Sequence, residues 1–516
     1  MIKSRIGLIA AASLAFMMPA ISLAEVELVR AYCSGCHHES SPGQFDRISA
    51  VRKTPEGWTM TLFRMHQVHG LNLPEDVRDQ IVHHLSDAQG LAPSEAATGR
   101  FALERRPNVK DIDLGAETNA MCGRCHSIAR SALQRRDADE WLKLAHMHLG
   151  QWPSLEYQAS SRDRPWWTIA STQMPSQLAA QWGLSSVAWT QWKNTPHRSL
   201  EGRWVLTSHA AGGLDYYGTM TVKKEPDGSY RAQYELHDSA GSVVHGTSHA
   251  LVYTGYEWRG TADFDGFPVR EVYATNEDGS RLSGRWFDAN HPEAGGDTVA
   301  IREETSTTIL AVSPRALKVG YVGPVTLVGT GLDRSNVATF GPGISVGRVV
   351  HGSGTMTVDV RVEDTADVGA HTVTAGAATS TVSVYRRIDS LSISPEFAIA
   401  RLGGGKTPSV SAQFEALGSI RLPDGTLFPI GPVAATWSTA PFDEEAKKQD
   451  DVRFAGSVDE HGQFHPAGAG PNKEREFSGN NVGNLKVIAS ATESEGAKAD
   501  AHLIVTVQRW NNTPIY

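Results

Sequence analysis

The chain has 516 residues and 40% hydrophobic content, enough for three or four packed domains at roughly 150 residues each. Its net charge of −9, mild and spread along the sequence, argues against a nucleic-acid partner. Past the N-terminal segment no stretch is long and apolar enough to span a bilayer, so no membrane span is expected.

Residues 1–24 have the pattern of a secretion signal. Lys3 and Arg5 precede an apolar run from Ile6 to Phe16, and Ser22-Leu23-Ala24 offers small residues at the cleavage positions, which predicts a mature chain starting at Glu25. A membrane anchor is the rival reading, but the run contains Ser13 and stops at Pro19, short for a span.

Two stretches then carry the chemistry: Cys33-Ser34-Gly35-Cys36-His37 and Cys122-Gly123-Arg124-Cys125-His126. Each reads Cys-x-x-Cys-His, the pattern for covalent attachment of c-type haem. The spacing lets two thiols add across the porphyrin vinyl groups while the following histidine reaches the iron from the same side. Composition alone predicts on the order of 0.001 chance copies, yet two are present and together use all four cysteines. A four-cysteine zinc ribbon needs no histidine after each pair. Local disulfides or a redox Cys-x-x-Cys leave both histidines unexplained. Two covalent haems are therefore expected, with Cys33, Cys36, Cys122 and Cys125 as attachment points and His37 and His126 as iron ligands. Covalent haem of this type is assembled outside the bacterial inner membrane, which together with the secretion signal predicts a periplasmic protein.

Residues 25–185 read as helical and duplicated. Arg52-Lys53-Thr54-Pro55-Glu56-Gly57-Trp58 follows the first motif; Arg135-Arg136-Asp137-Ala138-Asp139-Glu140-Trp141 follows the second. Thr54 is a candidate N-cap with Pro55 at the first helical position, and Asp137 with Glu140 resembles a capping box. Seven residues beyond each tryptophan lie Met65 and His148, close to two helical turns away and so on the same face. Met65 is the candidate sixth ligand of the first haem and His148 of the second. Met60, His66 and His69 compete with Met65; His146 and Met147 compete with His148. A helix from Leu73-Pro74-Glu75, carrying Val77, Ile81, Val82 and Leu85, closes the first half. One starting at Trp166, Trp167 and Ile169 closes the second, where Trp152 and Tyr157 add to an aromatic-rich lining.

From about Leu200 the pattern changes to period two. Tyr230, Ala232, Tyr234 and Leu236 alternate with polar residues, and Pro226-Asp227-Gly228, Ser239-Ala240-Gly241 and Glu277-Asp278-Gly279 mark turns. Residues 200–304 predict an antiparallel meander or barrel. Residues 309–386 read as about seven short strands, including Val325 to Val328 and Met356 to Val360, and resemble an immunoglobulin-like sandwich. A further β-sandwich is expected over 388–516, with strands at Val410 to Ala416, Asn484 to Ala491 and Ala501 to Gln508. The fold class is thus multidomain α plus all-β: a helical di-haem cytochrome c domain, then three antiparallel β domains. Histidines of the β region are scattered, and no catalytic constellation is present.

The tandem haem motifs followed by three β domains resemble the alpha subunit of quinohaemoprotein amine dehydrogenase. Cys122-Gly123-Arg124-Cys125-His126-Ser127 and His148-Leu149-Gly150-Gln151 add to the likeness, which spans essentially the whole chain. The resemblance implies a heterotrimer with a small subunit bearing a cysteine tryptophylquinone and a β-propeller subunit. The quinone oxidises a primary amine to aldehyde and ammonia, and electrons pass through the two haems to a blue-copper protein or small cytochrome c. With every cysteine taken by haem, none remains here to build such a quinone. Competing expectations are a di-haem cytochrome c peroxidase, which needs an open sixth position on one iron, and a stand-alone di-haem cytochrome whose β modules bind a carbohydrate or surface polymer.

Overall fold

The computed structural model describes residues 23–507 other than 152–159, 161, 214, 240, 305, 335–336 and 495. The signal segment, Trp152 and Tyr157 lie outside the described residues, apart from the start of the first helix. Among the described residues, no helix is long and apolar enough to cross a membrane.

The N-terminal region is built on α1 (Leu23–Cys33), α2 (Pro55–His69) and α3 (Glu75–Ala88), then the short helices α4 (Pro93–Ala96), α5 (Arg100–Leu103), α6 (Ala116–Cys122) and α7 (Ala129–Ala132), and α8 (Ala138–Gln151). Helices at Trp166–Thr172, Met174–Gln181 and Val187–Asn194 follow. Thr54 caps α2 as expected, its hydroxyl accepting from the Gly57 amide with Pro55 in the first turn. The box at α8 is only half formed. Asp137 accepts from the Glu140 amide at 2.8 Å, but the Glu140 carboxylate is drawn away by Arg47 and Lys143, at 2.9 and 2.7 Å.

Short strands interrupt the helices: β1 (Glu39–Ser41) with β2 (Gln44–Phe45), and β3 (Val51–Lys53) with β4 (Gln134–Arg136). The second pair joins the two halves of the repeat, with Arg52 opposite Arg135. Like charges across a ladder repel, so a counter-ion is needed. Glu95 supplies it, taking Arg52 in a two-pronged contact at 2.8 Å and Arg135 at 3.2 Å. Burial would raise the Glu95 carboxyl, but Arg52, the Ala92 amide and Arg135 outweigh burial and hold it down to about 2.

Eight strands form a closed antiparallel barrel: β5 (Gly202–His209), β6 (Asp215–Lys224), β7 (Tyr230–Asp238), β8 (Val243–Tyr253), β9 (Glu257–Phe264), β10 (Phe267–Thr275), β11 (Arg281–Asp288) and β12 (Gly295–Arg302). Each pairs with the next, and β12 returns to β5. The alternation seen in the sequence at Tyr230, Ala232, Tyr234 and Leu236 is the inward face of β7. Glu271 stands among these apolar side chains and accepts from Tyr234, Ser248 and Trp258 at 2.6, 2.7 and 2.9 Å, so the buried carboxyl is fully hydrogen-bonded. The outer wall carries the helical region. Leu91, Leu103 and Leu133 pack on Val272 and Phe287, and Trp189 and Trp192 pack on Tyr256 and Ala274. A buried ion pair from Arg259 to Glu56 ties the barrel to the first turn of α2.

The next domain stacks two four-stranded sheets over one core. Its strands number eight rather than seven, because the first is broken. β13 (Thr308–Ser313) lies in one sheet and β14 (Ala316–Lys318) in the other. Pro314 has no N–H to continue the ladder, so the chain crosses over and runs on in the same direction. That makes β14 parallel to the strand Ala378–Tyr385, a departure from wholly antiparallel pairing. The last domain repeats the device at Pro395, with Phe397–Arg401 parallel to Lys498–Thr506. There the strand expected over Val410 to Ala416 is divided between two sheets, as Ala412–Gln413 and Glu415–Arg421, and short helices occupy Glu444–Lys448 and Asp451–Phe454.

His209 pins the barrel to both later domains. Its ring nitrogens meet Asp215 at 2.6 Å and Glu415 at 2.9 Å, and Asp215 also takes Arg315 at 3.3 Å. Hydrogen bonds to Asp215 and Glu415 raise the imidazole from the usual 6.5 to about 9.

Glu95→Gln should cost about 3–5 kcal/mol in chemical unfolding, since it leaves two buried guanidinium groups without a counter-charge. With its folded pKa below the ordinary value of 4.5, the Glu95 contribution is present above that pH and fades as pH falls toward about 2. For His209 the sign is opposite. The raised pKa means that the stability gap between wild type and His209→Gln is full below pH 6.5 and closes as pH rises through about 9, read from unfolding curves across that range.

Candidate haem sites

The first Cys-x-x-Cys-His stretch begins where α1 ends. The amides of Cys36 and His37 turn back to the Cys33 carbonyl at 3.1 and 2.9 Å, which gathers the three side chains at the helix end. Cys33 is buried with Val29, Trp58 and Leu62, while Cys36 is exposed. Burial, with Cys36 adding to it, pushes the Cys33 thiol up to about 11. Nδ1 of His37 lies 2.9 Å from the Asp46 carbonyl oxygen. A carbonyl only accepts, so Nδ1 carries the proton and Nε2 keeps the lone pair that a metal requires.

Met65 is half-buried in the last turns of α2, in helical phase with Trp58 and Leu62. Its rivals separate. Met60 faces the second site instead. His66 is exposed with its Nδ1 on the Leu71 carbonyl at 2.8 Å, and His69 is exposed at the helix end.

The second stretch lines a cavity of about 250 Å³ that brings together Cys122, Cys125, His126 and His148. Trp141, Leu144, Trp166 and Leu178 form apolar walls. Burial pushes the Cys122 thiol up to about 11 and lowers both His126 and His148 below the usual histidine range, favouring neutral rings. Each ring again has Nδ1 on a carbonyl: His126 on Ser127 at 2.8 Å and His148 on Leu144 at 2.7 Å. Both Nε2 atoms are thereby in the ligating form. Asp111 fixes the loop behind His126, accepting from the Ser127 hydroxyl at 2.8 Å and the Ile128 amide at 2.7 Å. His146 packs edge-on against Trp167 at 4.9 Å, whereas Met147 does reach the cavity wall.

Helix α2 serves both sites. Trp58 and Leu62 pack in the first core, while Gly57, Met60 and Arg64 face the second cavity. Sequence reasoning missed the charges on that cavity, because a lone basic residue on a helix carries no signal of its destination. Lys53, buried over the Trp58 ring, donates to the Thr61 hydroxyl at 2.6 Å; burial drives its ammonium well below the usual lysine range. Two donors on this wall, Arg64 Nε and Trp141 Nε1, are buried without an acceptor among the described residues. An apolar slot with paired thiols, ligating imidazoles and unanswered donors fits a haem, whose edge is apolar and whose carboxylates accept hydrogen bonds. It does not fit zinc. The cysteines are split between two cores, and among the described residues no group of three or more His, Cys, Asp or Glu side chains is placed to hold a metal ion.

This fold and site define a haem-binding subunit of an oxidoreductase, with helices carrying the cofactor pocket and β domains behind it. Four family profiles match in tandem. Residues 23–189 match the haem-binding domain of the quinohemoprotein amine dehydrogenase alpha subunit, 197–303 its domain II, 306–386 its domain III and 391–515 its domain IV. The chain belongs to the quinohemoprotein amine dehydrogenase alpha-subunit family. No curated protein matches it. Similar solved structures include a redesigned β-barrel, mFAP1, bound to DFHBI, at 12% identity over 20% of this chain and 94% of that one, TM-score 0.18. A Bacteroides ovatus mixed-linkage glucan utilisation protein, SGBP-B, has 10% identity over 59% and 60%, TM-score 0.21. Mouse cadherin-23 EC22–24 has 13% identity over 61% and 89%, TM-score 0.16.

Asp111→Ala should lower unfolding stability by about 1.5–3 kcal/mol, the usual loss when hydrogen bonds to a charged group are removed, as measured by chemical denaturation.

Proposed function

We propose that this chain is the electron-carrying subunit of a periplasmic amine dehydrogenase, holding two covalently attached c-type haems. The observation that carries this reading is the shared state of His37, His126 and His148, each with Nδ1 held by a backbone carbonyl and Nε2 left to bind. Haem, when bound, supplies reversible one-electron exchange. Cys33, Cys36, Cys122 and Cys125 would hold it, with His37 and Met65 on the first iron and His126 and His148 on the second. A thioether ligand stabilises ferrous iron relative to a second imidazole, so the Met65 site is the higher-potential one.

The amine chemistry belongs to a partner, since each cysteine here has a place in a haem motif. Family membership supports a small subunit bearing a cysteine tryptophylquinone and a β-propeller subunit, in a heterotrimer that delivers electrons to a blue-copper protein or small cytochrome c. The basic start at Lys3 and Arg5 with the apolar run behind it supports export to the periplasm. The stacked sheets of residues 309–386 support an immunoglobulin-like reading of that domain.

Mild purification from periplasm should recover both partners with this chain, identified by mass analysis, and a Soret band from two haems per chain. His148→Ala should keep two haems attached while turning one high-spin. Recovery of the chain alone, active toward peroxide, would overturn the reading in favour of a di-haem peroxidase.

A further inference from the structure

The second cavity holds more positive charge than its protein partners answer. Its charged lining residues are Lys53, Glu56, Arg64, Arg124, Arg130 and Arg136, beside the imidazoles of His126 and His148. Most of these are accounted for. Lys53 donates to Thr61. Glu56 is held by Arg259. Arg124 pairs with Asp163 at 3.5 Å, and Arg136 lies 3.6 Å from Glu140. Arg64 and Arg130 remain, and neither has a carboxylate partner among the described residues. The nearest side-chain acceptor of Arg64 is the Thr61 hydroxyl at 3.5 Å, and its Nε is buried with no acceptor among the described residues. Trp141 Nε1, on the same wall, is likewise unanswered.

A buried guanidinium is costly without an anion, and a planar fork matches a carboxylate best. The ligand that this cavity is built for carries two carboxylates, the propionates, and they are its available hydrogen-bond acceptors. We infer that Arg64 and Arg130 clamp the propionates of the second haem, with Trp141 Nε1 as an auxiliary donor. This rests on the two-haem reading above. The clamp crosses the repeat: Arg130 and Trp141 come from the second half, but Arg64 comes from α2 of the first, next to the candidate ligand Met65. The first repeat is therefore a structural part of the second haem site, and the two halves cannot operate as separable cytochromes.

The full-length protein, matured with haem, tests this in two stages. Covalent haem is first counted per chain; fewer than two sinks the di-haem reading and the clamp with it. With two haems present, Arg64→Gln and Arg130→Gln are compared with wild type and with the surface control Arg231→Gln. Two readouts are used: the propionate bending band in resonance Raman, and the midpoint potential of each couple against pH. The clamp predicts a shifted propionate band in both variants but not in the control. It also predicts a second couple whose potential falls and becomes pH-dependent between about pH 5 and 8, as a released propionate begins to titrate (roughly the range of a partly buried carboxyl). Loss of a distant positive charge would lower the potential equally at all pH values and leave the band unmoved. Two attached haems with an unchanged band and a parallel fall in potential would overturn the clamp and leave the di-haem reading standing. Should Arg64→Gln fail to fold, Arg64→Lys keeps the charge but loses the fork: a shifted band supports the clamp, and a wild-type band counts against it.

Discussion

The whole haem-binding region turns on one carboxylate placed between two guanidinium groups. Arg52 and Arg135 occupy equivalent positions in the two repeats and face each other across a short ladder. Without Glu95 that pairing would be repulsive in a buried setting; with it, the three side chains become a cross-link between the halves. Each arginine precedes the helix that carries a candidate sixth ligand, α2 or α8. Locking the two strands together therefore sets the relation of those helices, and with them the relation of the two candidate haem sites.

The barrel supports that arrangement from outside. Its interior is filled by its own side chains and a satisfied carboxyl at Glu271, so it acts as a solid platform rather than a container. Its outer wall receives Trp189, Trp192 and the leucines around α4 and α5. Arg259 reaches from the wall to Glu56 in the first turn of α2. Helix α2 is thus held at its start by the barrel, and it contributes to both candidate haem sites along its length. His209 then ties the barrel to the last domain directly and to the middle one through Asp215 and Arg315, so the barrel that holds α2 also contacts both later domains.

Ligand readiness is built from backbone, not side chains. His37, His126 and His148 come from different elements, yet each meets a main-chain carbonyl through Nδ1. A carboxylate partner in that place would make the imidazole more basic and more electron-donating; a carbonyl sets the tautomer with a smaller electronic effect.

The sequence alone disclosed what depends on short-range spacing. Cys-x-x-Cys-His is a local covalent geometry, Thr54-Pro55 a local cap, and the alternation through Tyr230 to Leu236 a local face; all are legible because neighbours in the chain suffice to define them. The helical phase of Met65 and His148 was equally readable, since two turns of helix put them in line with Trp58 and Trp141. What the chain order conceals is everything that joins distant segments. That Arg52 would face Arg135, that Pro314 and Pro395 would send a strand to the opposite sheet and make it parallel, and that Arg64 of the first repeat would line the cavity of the second are outcomes of packing. Met60 and Met65 stand five residues apart on one helix and look interchangeable in a list of ligands. Met60 lines the second cavity while Met65 shares the face of Trp58 and Leu62, because opposite sides of α2 are buried against different cores, and burial against a distant partner is decided only when the chain has folded.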